Sequence, residues 1–289
     1  MNTAAKFRRL LEQPGIIRAP GAYDAWSAKL IARAGFPAVY MTGYGVSASL
    51  LGKPDIGLVS STEMAAVARN ICLAAGDTPV IADADNGYGG ALNVQRTVRE
   101  YEAAGVAAIQ LEDQVFPKRC GHMEGKEIIG RGEMAAKIRA AAQARSSADF
   151  SLIARTDARA VTGFQDALDR CRAYADAGAD ILFLEAPQST EEIYAAAESL
   201  GKPLLANMVE KGKTPLLPGK ELERMGYKIV IYPGTALFAA SRAIADALDS
   251  LCAHDTSCYE RQVSFPEFNE WICLREERQL EQGFGAASS

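Results

Sequence analysis

Short apolar runs recur along the chain at regular intervals. Each is three to five residues long and almost free of polar residues, which is typical of strands in a parallel sheet buried on both faces. The longer stretches between them have the composition and spacing of amphipathic helices. The runs occupy residues 16–19, 38–41, 79–82, 107–111, 151–154, 181–184, 203–206 and 229–231.

Glycines stand directly before most of these runs, where a helix ends. Glycine adopts positive φ without strain, so each is predicted to be a helix C-cap. The positions are Gly35, Gly76, Gly105, Gly178, Gly201 and Gly226. Eight alternating strand and helix units predict an α/β fold, a closed (β/α)8 TIM barrel. A doubly wound open sheet is the alternative, and the count of eight favours closure.

The end of the chain exceeds what such a barrel needs. Residues 235–253 predict a long Ala-rich helix, and residues 265–281 predict a further helical stretch. Phe265, Phe268 and Trp271 give that stretch apolar surface that must be buried, and a partner subunit is one candidate. We therefore expect a single domain over residues 1–289, with the barrel in 1–253 and a helical extension in 254–289.

Composition narrows the possible partners. The chain has 289 residues, 48% of them hydrophobic, and a net charge of −5. No basic cluster is present, so nucleic acid is not an expected partner. No apolar run reaches the roughly 18–20 residues of a membrane span, and the N-terminus lacks the apolar core of a signal peptide. These features predict a cytoplasmic protein that acts away from membranes.

Polar residues follow directly after five of the predicted strands. In a (β/α)8 barrel the strand ends converge on one rim, where such enzymes hold their sites. A single such residue could be a buried, satisfied polar group, but five strands together predict a site. The residues are Asp83, Asp85, Glu112, Asp113, Arg155, Thr156, Asp157, Glu185 and Asn207.

Carboxylates dominate one part of this rim. Asp83 and Asp85 lie two residues apart at one strand end, Glu112 ends the next strand, and Asp55 follows the second. Carboxylate oxygens are the ligands that Mg²⁺ prefers, usually with several waters retained. We therefore expect a Mg²⁺ site, which could also accept Mn²⁺. The competing interpretation is that these aspartates cap helices or form turns. It suits Asp157 better than Asp83.

Two further segments could hold an anionic substrate. The guanidinium of Arg155 matches the two oxygens of a carboxylate, although an ion pair with Glu185 or Asp157 is the competing interpretation. Thr42 and the backbone N–H groups of Gly43 and Tyr44 could also hold carboxylate oxygens.

Cys120 differs from the other five cysteines because charged residues and glycine surround it. No CxxC pair is present, so a zinc site is not expected. Residues 117–125 contain Gly, Pro and charge without periodicity, which indicates a loop. Lys118, Arg119 and His122 give Cys120 a setting typical of reactive thiols. A nucleophile with His122 as its base and an acid that protonates a carbanion are both consistent with it.

Five motifs occur together and in order, at residues 83–89 (DADNGYG), 111–114 (LEDQ), 118–122 (KRCGH), 154–157 (ARTD) and 205–208 (LANM). In this set the chain resembles the isocitrate lyase/phosphoenolpyruvate mutase superfamily, from about residue 15 to residue 253. The KRCGH loop is similar to that of its carbon–carbon lyase branch, which includes 2,3-dimethylmalate and 2-methylisocitrate lyases.

The resemblance implies a barrel whose last helix is exchanged between subunits of a homo-oligomer, often a tetramer. It implies Mg²⁺ held by Asp83 and Asp85, with Asp55 and Glu112 acting mostly through water. The implied substrate contacts are Tyr40, Thr42, Gly43, Tyr44, Gly121, Arg155, Glu185 and Asn207.

The implied reaction is a retro-aldol cleavage of a 2-hydroxy di- or tricarboxylate to pyruvate and a short carboxylic acid. Cys120 would protonate the departing enolate, with Tyr40 or Glu185 relaying the hydroxyl proton and His122 in the same loop. 2-Methylisocitrate lyases tend to carry an arginine at the place of Phe238, so an alkylated malate is favoured here. Oxaloacetate hydrolase or decarboxylase activity, and carboxyphosphonoenolpyruvate phosphonomutase activity, stay open.

Overall fold

The computed structural model describes residues 2–121, 123–255 and 259–285. Its eight strands are all parallel and follow the order β6-β5-β4-β3-β2-β1-β8-β7. Strands β6 and β7 meet through one bridge, between Leu182 and Leu204, so the barrel is nearly closed. The predicted TIM barrel is confirmed. The strands are β1 Ile17–Ala22, β2 Val39–Met41, β3 Val80–Asp83, β4 Ala108–Glu112, β5 Ser151–Thr156, β6 Ile181–Leu184, β7 Leu205–Asn207 and β8 Ile229–Tyr232.

Helices separate the strands along the sequence. The described ones are α1 Thr3–Glu12, α2 Ala25–Arg33, α3 Gly43–Leu51, α4 Ser61–Ala75, α5 Ala91–Ala103, α6 Arg131–Ala144, α7 Ala158–Val161, α8 Phe164–Asp176, α9 Thr190–Ser199, α10 Gly219–Met225, α11 Thr235–His254, α12 Phe265–Trp271 and α13 Leu274–Gly285.

Strand residues fill two separate apolar layers. Alternate side chains on β2 illustrate this, because Val39 and Met41 belong to the layer shared with the helices, whereas Tyr40 belongs to the barrel interior. Phe7 of α1 is fully buried in the interior layer, so α1 closes the end of the barrel opposite the carboxyl ends of the strands. Both strand faces are therefore buried, as the continuous apolar runs predict.

Positive φ is correctly predicted at five of six glycines, of which Gly76 and Gly226 are the C-caps and the other three directly follow an alanine C-cap. Gly35, Gly76, Gly105, Gly178 and Gly226 all have positive φ. The prediction is wrong at Gly201, because α9 ends earlier and its C-cap, Leu200, is extended at φ −116°. The chain leaves α9 in an extended conformation with the Leu200 side chain buried, so no left-handed turn is needed there.

The chain forms two compact units, one up to Phe238 and one from Ala239 onward. The division of barrel and extension after residue 253 stays a prediction. Within the second unit, the helical stretch predicted for residues 265–281 is present as two helices. Cys273 adopts a left-handed conformation, φ +60°, and separates α12 from α13. None of the described helices is long and apolar enough to cross a membrane.

Candidate active site

One cavity of about 240 Å³ lies at the carboxyl ends of the strands. It brings together eleven of the residues predicted from sequence: Tyr40, Thr42, Tyr44, Asp55, Asp83, Glu112, Cys120, Gly121, Arg155, Glu185 and Asn207. Gly43 and Asp85 are not in its lining but lie beside Asp83. His122 lies outside the described residues. The further lining residues are Lys118, Arg119, Met123, Val209, Ile231, Pro233, Gly234 and Phe238.

The turn from β2 into α3 brings a helix N-terminus to the cavity. Thr42 is the N-cap of α3, and its hydroxyl accepts a hydrogen bond from the Gly45 N–H at 3.4 Å. A side chain at Gly43 would put its Cβ 2.7 Å from Asp83 Oδ2, so only glycine fits. The first-turn N–H groups have no partner within the helix and suit an anionic ligand.

Four buried carboxylates form an acidic cluster, defined as Asp55, Asp83, Asp85 and Glu112. The Asp85 N–H donates to Asp83 Oδ1 at 3.0 Å, and Asp85 has φ +47°. A left-handed conformation is uncommon outside glycine, although Asp tolerates it better than most residues. The loop that follows β3 is thus bent back so that Asp85 rejoins Asp83 at the rim.

Lys118 is the lysine inside this cluster. Its Nζ lies 2.7 Å from Asp55 Oδ1 and 2.7 Å from Asp85 Oδ1, and its side chain is 3% exposed. Burial raises the pKa of Asp85 to about 7, although the Lys118 ammonium opposes the shift. Burial would lower the pKa of Lys118, but Asp85, Asp83 and Asp55 hold it well above its usual range. One ammonium therefore faces several carboxylates, which leaves the cluster short of positive charge.

The donor set fits a hard divalent cation. Burial raises the pKa of Glu112, and its Oε1 is buried without a hydrogen-bond partner in the described part of the chain. No three His, Cys, Asp or Glu side chains of the described residues form a preassembled metal cluster. Mg²⁺ does not require one, because it commonly binds one or two carboxylates and keeps several waters.

A second charged group adjoins the acidic cluster, and we call it the balanced network: Asp113, Lys126, Arg155, Asp157 and Arg170. Arg155 Nε lies 2.9 Å from Asp157 Oδ2, and Arg155 Nη1 lies 3.2 Å from Glu112 Oε2. Burial alone would raise the pKa of Asp157, but Arg155 and then Lys126 lower it to about 2. The ion pair with Asp157, one competing interpretation of Arg155, is present, and Arg155 also lines the cavity.

Tyr40, Glu185 and Asn207 occupy the wall between these two groups. Asn207 Nδ2 lies 3.3 Å from both carboxylate oxygens of Glu185, to which it donates. The Tyr40 hydroxyl donates to Gln110 Oε1 at 3.1 Å, and burial raises the pKa of Tyr40 well above its usual range. Gln110 in turn donates to Asp83 Oδ1 at 3.5 Å. The Tyr40 proton is thus directed at an amide oxygen.

Cys120 lies in the loop between β4 and α6, where neighbouring residues are fixed from both sides. Gln114 accepts from the Arg119 N–H at 2.9 Å and donates to the Arg119 carbonyl at 2.8 Å. A Cβ at Gly121 would lie 2.5 Å from Arg155 Nη2 and would overlap Glu185 Oε1. The backbone after Cys120 is thus seated directly on two predicted substrate contacts, and only glycine allows that approach.

Apolar and aromatic side chains line the remaining wall. Tyr44 and Phe238 pack edge to face, with ring centroids 6.2 Å apart. The other apolar residues of this wall are Val209, Ile231 and Pro233. Among the described lining residues the cations are Lys118, Arg119 and Arg155. The cavity therefore combines charged groups with a region suited to hydrocarbon.

Sequence reasoning missed Gln110, Lys118 and Lys126 as functional residues. Gln110 left a signal, because it is a polar residue inside the apolar run of β4. Lys118 was expected to act on the Cys120 thiol, and its contact with Asp55 and Asp85 was not foreseen. Lys126 left no signal, since its partner Asp157 lies 31 residues away.

Known proteins are similar to this chain over most of its length. Residues 7–252 match the family model described as phosphoenolpyruvate phosphomutase. The chain is 53% identical over 286 residues to 2,3-dimethylmalate lyase of Eubacterium barkeri, covering 98% of this chain and 99% of that protein. It is 48% identical over 240 residues to 2-methylisocitrate lyase of Bacillus subtilis (strain 168), covering 83% and 78%.

Solved structures of lower sequence identity also align over nearly the whole chain. Oxaloacetate acetylhydrolase in complex with 3,3-difluorooxalacetate aligns with a TM-score of 0.95 at 39% identity, covering 98% of this chain and 97% of that one. Phosphonopyruvate hydrolase in complex with oxalate and Mg²⁺ aligns with a TM-score of 0.88 at 31% identity, covering 98% and 99%. The chain belongs to the phosphoenolpyruvate mutase/isocitrate lyase superfamily. Its named lyase relatives support the class of carbon–carbon lyase.

Proposed function

We propose that the protein cleaves a 2-hydroxy dicarboxylate of the alkylmalate type, such as 2,3-dimethylmalate, to pyruvate and a short carboxylic acid. One observation carries the proposal. A single cavity combines the acidic cluster, Arg155, Cys120 and an apolar aromatic wall. A substrate that bears both carboxylates and alkyl branches would have a suitable partner in each of these groups.

The acidic cluster would hold Mg²⁺, with Mn²⁺ as a substitute. Asp83 and Asp85 would contact the ion, and Asp55 and Glu112 would hold its waters. When bound, the ion supplies Lewis-acid polarisation at the substrate C2 oxygen. Lys118 neutralises part of the cluster's remaining charge, because its ammonium contacts both Asp55 and Asp85.

Substrate carboxylates would be held by Arg155 and by the N-terminus of α3. Asp157 fixes the Arg155 guanidinium through two hydrogen bonds, of 2.9 and 3.0 Å, so its orientation is set before substrate binds. Thr42, Gly43 and Tyr44 offer a hydroxyl and first-turn N–H groups to a second set of oxygens. Preorganised donors of this kind cost little reorganisation when the enolate charge develops.

Glu185 would accept the proton of the C2 hydroxyl as the C2–C3 bond breaks. It is a carboxylate oriented by Asn207, whereas the Tyr40 proton is engaged with Gln110. Cys120 would then deliver a proton to carbon 3 of the departing enolate. The Cys120 loop is seated above Glu185 and Arg155 through Gly121, which puts the thiol on the same rim as the substrate contacts.

The apolar wall favours a dicarboxylate over a tricarboxylate. Lys118 already contacts the acidic cluster, and Arg155 is assigned to one substrate carboxylate, so neither is left for a third one. A third substrate carboxylate facing Tyr44 and Phe238 would be desolvated without a partner, which is costly. Alkyl branches at the same place would instead gain apolar contact.

A substrate panel with Mg²⁺ tests the proposal. Pyruvate release is measured from 2,3-dimethylmalate and from 2-methylisocitrate, oxalate release from oxaloacetate, and turnover of carboxyphosphonoenolpyruvate. We expect kcat/KM for 2,3-dimethylmalate to exceed that for 2-methylisocitrate by about 10²-fold, since the latter would bury an unpaired charge. Oxalate release without pyruvate release from either lyase substrate would instead make the protein an oxaloacetate hydrolase, the activity named for its structural relative.

We also propose a homo-oligomer, a tetramer with exchanged C-terminal helices. Helix α11 has no buried residue, although Ile244, Leu248 and Leu251 are 60%, 55% and 45% exposed. Phe265 of α12 is 78% exposed. Apolar surface of this kind is typical of subunit interfaces. Light scattering gives the mass of the assembly, and a monomer would contradict this proposal. The cytoplasmic location stays a prediction.

A further inference from the structure

We infer that Lys126 is a positioning residue. It holds the backbone of Cys120 and Gly121 in the position from which the Cys120 thiol can act on the substrate. Its Nζ lies 2.7 Å from Asp157 Oδ1 and donates to the Gly121 carbonyl at 2.5 Å. The Lys126 and Asp157 side chains are 2% and 0% exposed, so water does not screen this contact. One buried ammonium thus joins the backbone next to Cys120 to a carboxylate of the barrel.

Asp157 is a rigid anchor for this link. Its N–H donates to Asp113 Oδ1 at 2.9 Å. Asp113 Oδ2 in turn accepts from Thr156 Oγ1 at 2.7 Å and from the Tyr174 hydroxyl at 2.7 Å. The anchor is therefore tied to strand β5 and helix α8, elements of the barrel itself. A loop fixed to such elements holds a catalytic group better than one fixed to other loops.

The same anchor orients the substrate contact. Asp157 binds the Arg155 guanidinium on one side and the Lys126 ammonium on the other. Gly121 lies between Arg155 and Lys126, because a Cβ there would meet Arg155 Nη2. Lys126 therefore sets the distance between the backbone next to Cys120 and the guanidinium proposed to hold substrate. A misplacement of about 1 Å in such an arrangement can cost 10²-fold in rate.

A merely structural role would be different. If Lys126 only neutralised Asp157, its loss would lower stability and leave the Cys120 backbone where it is. The bond to the Gly121 carbonyl is what distinguishes the two roles, because it acts on the loop and not on the barrel. The kinetic part of the inference rests on the proposed lyase function, whereas the part concerning Cys120 exposure does not.

The test compares Lys126→Met and Lys126→Arg with Lys228→Met in the full-length protein. Lys228 is a matched control, because its Nζ also donates to a backbone carbonyl, that of Gly15 at 2.7 Å, at the amino ends of the strands. The first readout is the rate at which iodoacetamide alkylates Cys120, resolved by peptide mass spectrometry, with Cys252 as the internal reference. The second is kcat and KM for the best substrate, and the third is the melting temperature.

We expect Lys126→Met to raise the Cys120 alkylation rate roughly tenfold relative to Cys252, the effect of losing one charged hydrogen bond. We expect kcat to fall by about 10²-fold with KM changed less than about threefold. Lys126→Arg keeps the charge and should recover most of both effects, and Lys228→Met should leave both unchanged. If Lys126→Met does not fold, the Arg variant decides, since it must still show a smaller change in the same direction.

Unchanged Cys120 alkylation in a folded Lys126→Met protein would overturn the inference. So would a uniform rise in the alkylation of all mapped cysteines, because that indicates general destabilisation. Absence of lyase activity in the unmodified protein would contradict the proposed function only, and the alkylation result would still decide the role of Lys126.

Discussion

The two charged groups at the rim are equally buried but differ in charge balance. The acidic cluster has four carboxylates and two cations in contact with it: Lys118 at Asp55 and Asp85, and Arg155, which it shares with the other group, at Glu112. The balanced network has two carboxylates, Asp113 and Asp157, with Lys126, Arg155 and Arg170 as cations. Asp85 is 6% exposed and Asp157 is 1% exposed, so burial alone does not distinguish them.

Asp85 and Asp157 respond in opposite ways, although burial raises the pKa of Asp113 in the balanced network as well. Burial raises the pKa of Asp85 to about 7, because one ammonium is not enough to offset desolvation and neighbouring carboxylates. The pKa of Asp157 falls to about 2, because Arg155 and Lys126 outweigh the same desolvation. A buried group short of positive charge suits the binding of a cation, whereas a balanced group suits a rigid frame. The Cys120 loop joins the two through Lys118 and Lys126.

The largest effect is expected from Asp85→Asn. Loss of a metal contact should lower kcat/KM by about 10³-fold or more, since metal catalysis supplies several kcal/mol. Mg²⁺ should raise the melting temperature of the unmodified protein by mass action and have little effect on the variant. Thermal unfolding with and without Mg²⁺ measures this independently of turnover.

Asp176→Asn is the control, because Asp176 is an exposed carboxylate at the end of α8. It should keep both activity and the Mg²⁺-induced shift. If Mg²⁺ raised the melting temperature of Asp85→Asn as much as that of the unmodified protein, the ion would bind elsewhere.

The next largest effect is expected from Asp157→Asn, and here it is on stability. Removing one partner of a buried ion pair costs about 3–5 kcal/mol, because Arg155 and Lys126 would be left with unpaired charge. Chemical denaturation at pH 7 measures the free energy of unfolding, with Asp176→Asn again as the control. A loss below about 1 kcal/mol would show that this network does not act as a frame.

The two carboxylates should also give opposite pH dependences in metal-free protein. A lowered pKa contributes stability that is present above the ordinary value near 4 and is lost as pH falls towards 2, so the deficit of Asp157→Asn should shrink over that range. A raised pKa removes stability as pH rises from about 4 to 7. The free energy of unfolding of Asp85→Asn should therefore increase relative to that of the unmodified protein over that range. Denaturation curves in EDTA at a series of pH values check both signs.

The smallest effect is expected from Tyr174→Phe. The Tyr174 hydroxyl donates to Asp113 Oδ2 at 2.7 Å, and loss of one such hydrogen bond should cost about 1–2 kcal/mol. Activity should change less than about threefold, because the Asp113 carboxylate keeps its bonds from Thr156 and Asp157. A tenfold fall in kcat would mean that the frame transmits small displacements to the site.

Sequence alone predicted the barrel and all four carboxylates of the acidic cluster, but not the Lys118 ammonium among them. Strand ends of a parallel barrel share one rim, so Asp83 and Glu112 could be placed together from their position after apolar runs. The backbone conformations at Gly201 and Cys273 could not be predicted from sequence. They depend on tertiary packing, which buries Leu200 and gives Cys273 a left-handed conformation. The pairing of Lys126 with Asp157 was equally hidden, since loop and strand meet only after folding.

We propose that Cys120 gives the proton that completes carbon–carbon cleavage. The most direct measurement is single-turnover pyruvate release from 2,3-dimethylmalate with saturating Mg²⁺, comparing the unmodified protein with Cys120→Ser and Cys120→Ala. We expect both variants to lose about 10²- to 10⁴-fold in rate, the range of general acid catalysis, with melting temperature and Mg²⁺ binding unchanged. Full-rate pyruvate release by Cys120→Ala would contradict it.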